Sequence, residues 1–504
     1  MDITSPIYLL FVGISMLIYW FTPKKYQWLI LLADSLIFYF ACAQWYTFVY
    51  VIVSVFSVWF ASCDFEKNPG RKKTVFILTM ILNIGILAVL KYTDMAINTY
   101  NAFVPDASKA ELLRLTAPLA ISYYTLQIAG YLTDCCWGSV KPEKNPLKLM
   151  LFTAYFPLMV SGPISRYSDL SAQLFEEHRF DYDRVTSGLR RTAWGLAKKI
   201  IVADRIALFV DPIFADSETF SGLWVLVGAC LFILQLYFDF SGCMDIITGV
   251  SSCFGIKLTD NFRAPFFSKT VQEFWQRWHI TLGGWMKDYV MYPLLRSKPL
   301  KKLMKKVKKS GKTAKKLPSF IAMLVVWLLI GIWHGSSWKY VLCEGGFFYI
   351  VIVLGQLFEP VSAAINKKLK LTDSNKLWQL FRMLRTFILT AVGLIVFKTG
   401  DLLNTFGTYA SIFSHTALKQ PLSMIYAQAH EVWPGFSGKI LLVFFIAVFV
   451  LQTVSDIRTY SEKDTQSLVT KRSLPVRWTL YLLLILMILL SQGSVKSDFI
   501  YFQF

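Results

Sequence analysis

Hydrophobic residues in this chain gather into long runs, and polar residues fall in the short stretches between them. Apolar runs lie near 7–21, 27–43, 46–62, 74–92, 115–134, 200–213, 220–238, 318–334, 338–356, 380–397, 438–453 and 477–492. An upright helix needs about 20 such residues to cross the hydrocarbon core, and several runs fall short of that. The pattern predicts an all-α polytopic membrane protein with about 11–13 transmembrane helices, since a spanning segment must satisfy its own backbone in lipid.

Two regions depart from simple spans. Phe152–Arg166 (FTAYFPLMVSGPISR) places two prolines and a glycine inside an apolar run. Broken backbone at membrane depth survives only when buried in protein or lining water, so a re-entrant or interfacial segment is expected. The second region, 239–297, is amphipathic and too long for an idle loop. Within it, Phe274–Pro293 reads FWQRWHITLGGWMKDYVMYP. On one helix, Trp275, Trp278, Leu282, Trp285, Tyr289 and Tyr292 would share a face, with Gln276, Arg277, His279, Thr281, Lys287 and Asp288 elsewhere. Such a helix suits a membrane interface or the wall of a wet cavity. Gly283-Gly284 predicts a bend or a close approach there.

Composition supports the membrane reading. The 504 residues are 55% hydrophobic and only 17% charged, with 41 Phe, 24 Tyr and 16 Trp; soluble domains average about 25% charged. The formal net charge of +20 could suggest nucleic acid, but the basic residues concentrate in short inter-span loops. Alternating the spans from an outside N-terminus puts Lys24-Lys25, Asp64–Lys73, Lys141–Lys148, Lys298–Leu317, Asn366–Arg382 and Asp456–Arg477 in the cytoplasm. Both termini are then extracytoplasmic, and Ile7–Phe21 is expected as a retained span rather than a cleaved signal. Lys298–Leu317 holds ten lysines and no acid. It suits a topology-setting loop that meets anionic lipid, or a docking surface for an acidic carrier protein or a nucleotide-bearing donor. Eight cysteines show no CxxC spacing, so no metal or disulfide framework is indicated.

Candidate chemistry narrows to histidines. His178, His415 and His430 lie in polar stretches and are expected to be solvated. His334 ends a strongly apolar run, WLLIGIWHGSSW (Trp327–Trp338), where an ionisable group is a functional hypothesis by default. Gly331 stands one turn before it and Trp338 one turn after. A neutral histidine satisfied by a backbone carbonyl is the plainer reading. His279, on the aromatic stretch, fits cavity lining or interfacial packing equally. Neither histidine has an acid three or four residues away, so a metal site is not expected. No GxSxG elbow, P-loop or GxGxxG follows a strand. Proton transfer remains, either to activate a hydroxyl or as a relay in a transporter.

FWQRWHITLGGWMKDYVMYPL resembles the RWH-containing signature of bacterial membrane-bound O-acyltransferases of the alginate O-acetyltransferase branch. YFDFSGCMDIITGVSSCFGIKLTDNFRAPFFSKTVQEFW (237–275), SGPISRY (161–167), GLAKKIIVADRIA (195–207), GIWHGSSWKYVL (331–342) and the terminal FIYFQF (499–504) resemble further elements of that family, in its order. Cys243-Met244, Gly283-Gly284 and Lys287 depart from the usual residues. The resemblance implies one integral-membrane acyltransferase domain over 1–504 with a tunnel between two cavities. Its N-terminal transmembrane helices would occupy 1–150, a core with both histidines 151–345, and C-terminal transmembrane helices 346–504. It also implies His334 as the catalytic base and His279 as the second catalytic histidine. Trp275, Gln276, Trp278, Trp285, Asp288 and Trp333 would line the donor side, with Arg166, Asp239 and Asn261 as further core candidates. No bound cofactor or metal is implied. The expected donor is a cytoplasmic thioester, by default acetyl-CoA. An extracytoplasmic SGNH-type partner and an exported or cell-wall polysaccharide would receive the acetyl group. The setting would be a bacterial cell membrane, with membrane lipids as partners and no nucleic acid. D-alanyl transfer to teichoic acid from a carrier protein is the alternative within the family. A proton-coupled transporter is the alternative outside it.

Overall fold

The computed structural model describes residues 1–216, 219–416, 419–433, 435–462, 467–491 and 499–500. Of the FIYFQF block, residues 501–504 lie outside the described residues. Among the described residues, regular structure is helical, with one isolated antiparallel bridge between Phe262 and Trp278. Among the described residues, eight helices are long and apolar enough to cross a membrane: Trp45–Lys67, Pro69–Asn101, Leu223–Cys253, Leu317–His334, Tyr340–Leu357, Lys376–Phe397, Gly438–Tyr460 and Leu474–Ser491. Pro6–Phe21 is a shorter apolar helix. The runs at 27–43 and 115–134 contain Gln27–Cys42 and Ile121–Trp137, and the run at 200–213 falls on a π-helical turn followed by Asp204–Ala215. The chain is a multi-pass membrane protein. Only 11% of the Leu474–Ser491 stretch is buried within the protein, against 61% for Leu223–Cys253, so the first turns its leucines toward lipid and the second is an interior helix.

Two compact units emerge. The first comprises Met1–Thr192 with Cys243–Asp260. Its helices start on sequence signals: the Ser5 hydroxyl accepts from the Tyr8 amide with Pro6 in the first turn, and Asn145 caps Leu147 ahead of Pro146. Its core is an aromatic chain in which Phe11 meets Phe156, Phe156 meets Phe254 and Phe254 meets Tyr19, at 5.5, 5.8 and 5.2 Å between centroids. Edge-on pairs at these distances add to their burial. The proline-broken Phe152–Arg166 segment ends one helix at Ala154, makes a short turn Leu158–Ser161 and runs extended to Arg166. Phe152, Tyr155 and Phe156 are fully buried there, which is how irregular backbone survives in an apolar setting.

His178 also belongs to the first unit, and there the solvated reading fails. It is buried, its Nε2 is 2.7 Å from the Gln173 carbonyl, and its amide donates to the Gln27 side chain at 3.0 Å. Charged neighbours in EEHRFDYD concealed an inward-facing ring. His415 and His430 are exposed, as expected.

The second unit comprises Ala193–Gly242 with Asn261–Phe504. Here the expectation of one striped helix over Phe274–Pro293 is overturned. Helix runs from Val271 to Arg277, stops at Trp278 and His279, resumes over Ile280–Met286 and passes through a π-helical turn, Lys287–Met291, into Tyr292–Arg296. The break sits at His279, whose φ of 47° is left-handed, a conformation costing about 1–2 kcal/mol for a non-glycine residue. Non-local hydrogen bonds offset it. The Arg263 amide donates to the Arg277 carbonyl at 3.0 Å, and the Ile280 amide to the Asn261 carbonyl at 3.1 Å. Gly283 and Gly284 lie inside the resumed helix, and an added Cβ would meet nothing closer than 3.8 Å, so neither the bend nor the close approach is there. The lysine-rich stretch folds in part as a helix, Lys298–Val307, with Leu300 buried.

Candidate active site

The Leu317–His334 helix and the segment that follows it form a tight hairpin. The helix ends at His334, and the chain turns through Gly335–Lys339 into a π-helical turn, Tyr340–Gly346. Trp338 therefore lies in the turn and is 45% exposed, rather than one helical turn beyond His334. Two glycines set the spacing of the arms. A Cβ on Gly331 would lie 2.5 Å from the Tyr340 carbonyl oxygen, and one on Gly345 would lie 2.5 Å from that of Trp327. Only bare backbone permits that approach.

The hairpin brings Glu344 to His334, with Oε1 2.7 Å from Nδ1 and the two side chains 0% and 2% exposed. At this length the ring nitrogen and the carboxylate are at ion-pair distance. The π-helical geometry matters because its wider turn changes which residues face the partner helix, a feature often found at functional sites. Phe397 packs on the His334 ring at 5.6 Å.

His279 enters from the broken segment. Its ring lies 5.7 Å from Trp333, which lies 5.1 Å from His334. One indole thus separates the two histidines. Phe240 meets the His279 ring edge-on at 5.0 Å. Asn261 holds the other side. Its Oδ1 accepts from the Thr281 amide at 3.0 Å and the Thr281 hydroxyl at 2.9 Å, and lies 3.3 Å from His279 Nδ1. Because an amide N–H already donates to that atom, it is the oxygen, and a ring nitrogen facing it carries the proton. Nε2 is then the acceptor atom of His279.

Trp275 packs against Trp327 at 5.2 Å and Phe348 at 4.8 Å, two turns before His334 on the same helix. Trp278 is fully buried, stacked on Phe274 at 5.3 Å. Trp285 pairs with Tyr289 at 5.1 Å. Gln276 is exposed and Asp288 half-buried. Asp239 lies in a closed ionic cluster: Lys199 Nζ is 2.7 Å from Asp239 and 2.8 Å from Asp204, and the Ile500 amide donates to Asp239 at 3.0 Å. Arg166 belongs to the first unit, half-buried just before the Tyr167–Phe175 helix. Among the described residues, no group of three or more His, Cys, Asp or Glu side chains could hold a metal ion.

Sequence reasoning missed Glu344, Trp327 and Phe240. For Glu344 a signal was available, because it is the one acid in the apolar run 338–356, and an acid in such a run marks a functional candidate as a histidine does.

The MBOAT, membrane-bound O-acyltransferase family, matches residues 143–394, which is half of the chain and includes both histidines and Glu344. The chain belongs to the membrane-bound O-acyltransferase family. It is an acyltransferase. Over 413 residues it is 27% identical to the probable alginate O-acetylase AlgI of Azotobacter vinelandii, covering 80% of this chain and 76% of that protein. It is 31% identical over 342 residues to a peptidoglycan O-acetyltransferase of Helicobacter pylori, covering 62% and 61%. A teichoic acid D-alanyltransferase of Bacillus subtilis is 28% identical over 288 residues, covering 56% and 68%.

Proposed function

We propose that this acyltransferase moves an acetyl group from a cytoplasmic thioester, acetyl-CoA by default, through a membrane tunnel to a hydroxyl outside. His334 is the general base. The observation that carries the reading is the His334 ring itself, buried at the end of an apolar helix and in contact with a carboxylate, in a chain that belongs to an acyltransferase family.

In this reaction His334 takes the proton of the acceptor hydroxyl as its oxygen attacks the thioester carbonyl. The new C–O bond forms, the C–S bond breaks, and the leaving thiolate takes the proton from the imidazolium. A neutral histidine is restored and no other reactant is consumed. His279 lines the path with Trp333 between it and the base, and Trp275, Trp278, Trp285, Gln276 and Asp288 shape the donor side. Asn261 orients His279. Asp239 and Arg166 support the core.

The acceptor is a polysaccharide of the cell exterior, reached through an SGNH-type partner protein, and the protein sits in a bacterial cell membrane with both termini outside. The chain acts as one membrane domain whose 151–345 segment carries the histidines. Relatives named for alginate and peptidoglycan O-acetylation support acetyl transfer. The likeness to a D-alanyltransferase and the ten-lysine stretch, suited to an acidic carrier protein, favour D-alanyl transfer as a second reading.

The test is His334→Ala in purified full-length protein. Transfer from radiolabelled acetyl-CoA or a D-alanyl thioester should fall about 10²–10⁴-fold while monodispersity and melting temperature are kept. A variant that still transfers at an appreciable rate rejects His334 as the base.

A further inference from the structure

We infer that Glu344 is the positioning residue of the reaction, a buried carboxylate that orients the His334 ring and stabilises the imidazolium formed when the hydroxyl proton arrives. The inference rests on His334 acting as base.

Three observations carry it. Glu344 Oε1 stands 2.7 Å from Nδ1, the ring nitrogen on that side, and both side chains are almost completely closed to solvent. A carboxylate this close to Nδ1 favours the proton on that nitrogen, which leaves Nε2 to present the lone pair that a base requires. The contact is also built rather than incidental. Glu344 and His334 are ten residues apart on the two arms of the hairpin. They meet because Gly331 and Gly345 let each arm's backbone touch the other at positions where a Cβ would come within 2.5 Å. Finally, among the described residues no lysine or arginine pairs with Glu344 in place of the histidine. Lys339, on the same hairpin, directs its Nζ to the Thr399 carbonyl and lies 4.8 Å from the Tyr340 ring. A buried carboxylate left without a counter-charge is costly. A histidine that becomes cationic during each turnover supplies that charge when the reaction needs it.

Glu344 touches the base and not the acyl group, so its signature is a fall in kcat with KM unmoved. The experiment uses purified full-length protein and whichever of two thioesters, acetyl-CoA or D-alanyl-pantetheine, the wild type turns over. Glu344→Gln, which keeps shape and removes charge, should lower kcat on the order of 10²-fold at unchanged KM and melting temperature. Glu344→Asp, which keeps the charge at shorter reach, should recover part of that loss. Adding Glu344→Gln to His334→Ala should lower the residual rate no further, because residues that act as a unit are not additive. Wild-type kcat in Glu344→Gln, a loss confined to KM, or losses that multiply in the double variant would each overturn the inference. If Glu344→Gln is not monodisperse, Glu344→Asp decides by the same split: reduced kcat at constant KM supports the role, and any other result overturns it. A wild type inert to both thioesters, or an active His334→Ala, instead overturns the base reading beneath it.

Discussion

Two buried acid–base clusters in the second unit differ in whether a permanent cation faces the carboxylate. Around Asp239, a lysine faces two carboxylates and a backbone amide from the chain's C-terminal end adds a further donor. Lys199 also lies 4.7 Å from the Phe499 ring. Each charge there is held by permanent partners, and the cluster ties Lys198–Ala203, Leu223–Cys253 and residue 500 together. At His334 the Glu344 carboxylate faces a base that can be neutral or cationic. The first arrangement holds its carboxylates against a permanent cation. The second gains its counter-charge only when a proton arrives. The same chemical vocabulary therefore serves architecture in one place and reaction in the other, and the permanence of the counter-charge separates them.

Experiments can break that contrast, beginning with the largest expected effect. His334→Ala should cost about 10²–10⁴-fold in transfer rate, equivalent to about 3–5 kcal/mol of barrier, with an unchanged melting temperature in detergent. Asp239→Ala should do the reverse. Lys199 keeps Asp204 but loses its second carboxylate, and the Ile500 amide loses its acceptor, which costs about 1–3 kcal/mol of stability, read as a lowered melting temperature and faster proteolysis at the C-terminal end, while the folded fraction keeps its turnover. If both variants lose stability alike, the two clusters are not different in kind. Gly331→Ala tests the hairpin geometry, because its new methyl meets the Tyr340 backbone rather than a flexible side chain. The strain should destabilise by about 1–3 kcal/mol and lower kcat by moving Glu344 away from His334. Gln276→Ala, at an exposed position, should change stability by less than about 0.5 kcal/mol, and a KM shift for the thioester would place it on the donor path.

What was readable in the chain follows from what is local. Apolar runs report spans because a helix in lipid satisfies its own backbone, and each of the twelve runs carries helix. His334 was visible because a histidine at the end of WLLIGIW has no solvent to explain it. Helical periodicity misled at Phe274–Pro293, since it assumes each amide finds a carbonyl four residues back. There Asn261 and Arg263 compete successfully for the bonds, and the aromatic stripe scatters, with Trp275 against Trp327 and Trp278 against Tyr237 and Phe262. His178 misled in the opposite direction, its charged neighbours hiding an inward ring.

By itself the sequence determined the membrane-spanning helical class, the family and the two histidines, because hydropathy and short motifs are properties of contiguous residues. Tertiary structure alone decided that the 271–296 segment breaks at His279, that Trp333 stands between the two histidines, and that Glu344 faces His334. Each of these depends on close approach between segments far apart along the chain: Asn261 replaces a helical bond at Thr281, and two glycines on opposite arms let backbone meet backbone. No periodicity within one segment records such contacts, since the energy that fixes them comes from a partner elsewhere in the fold.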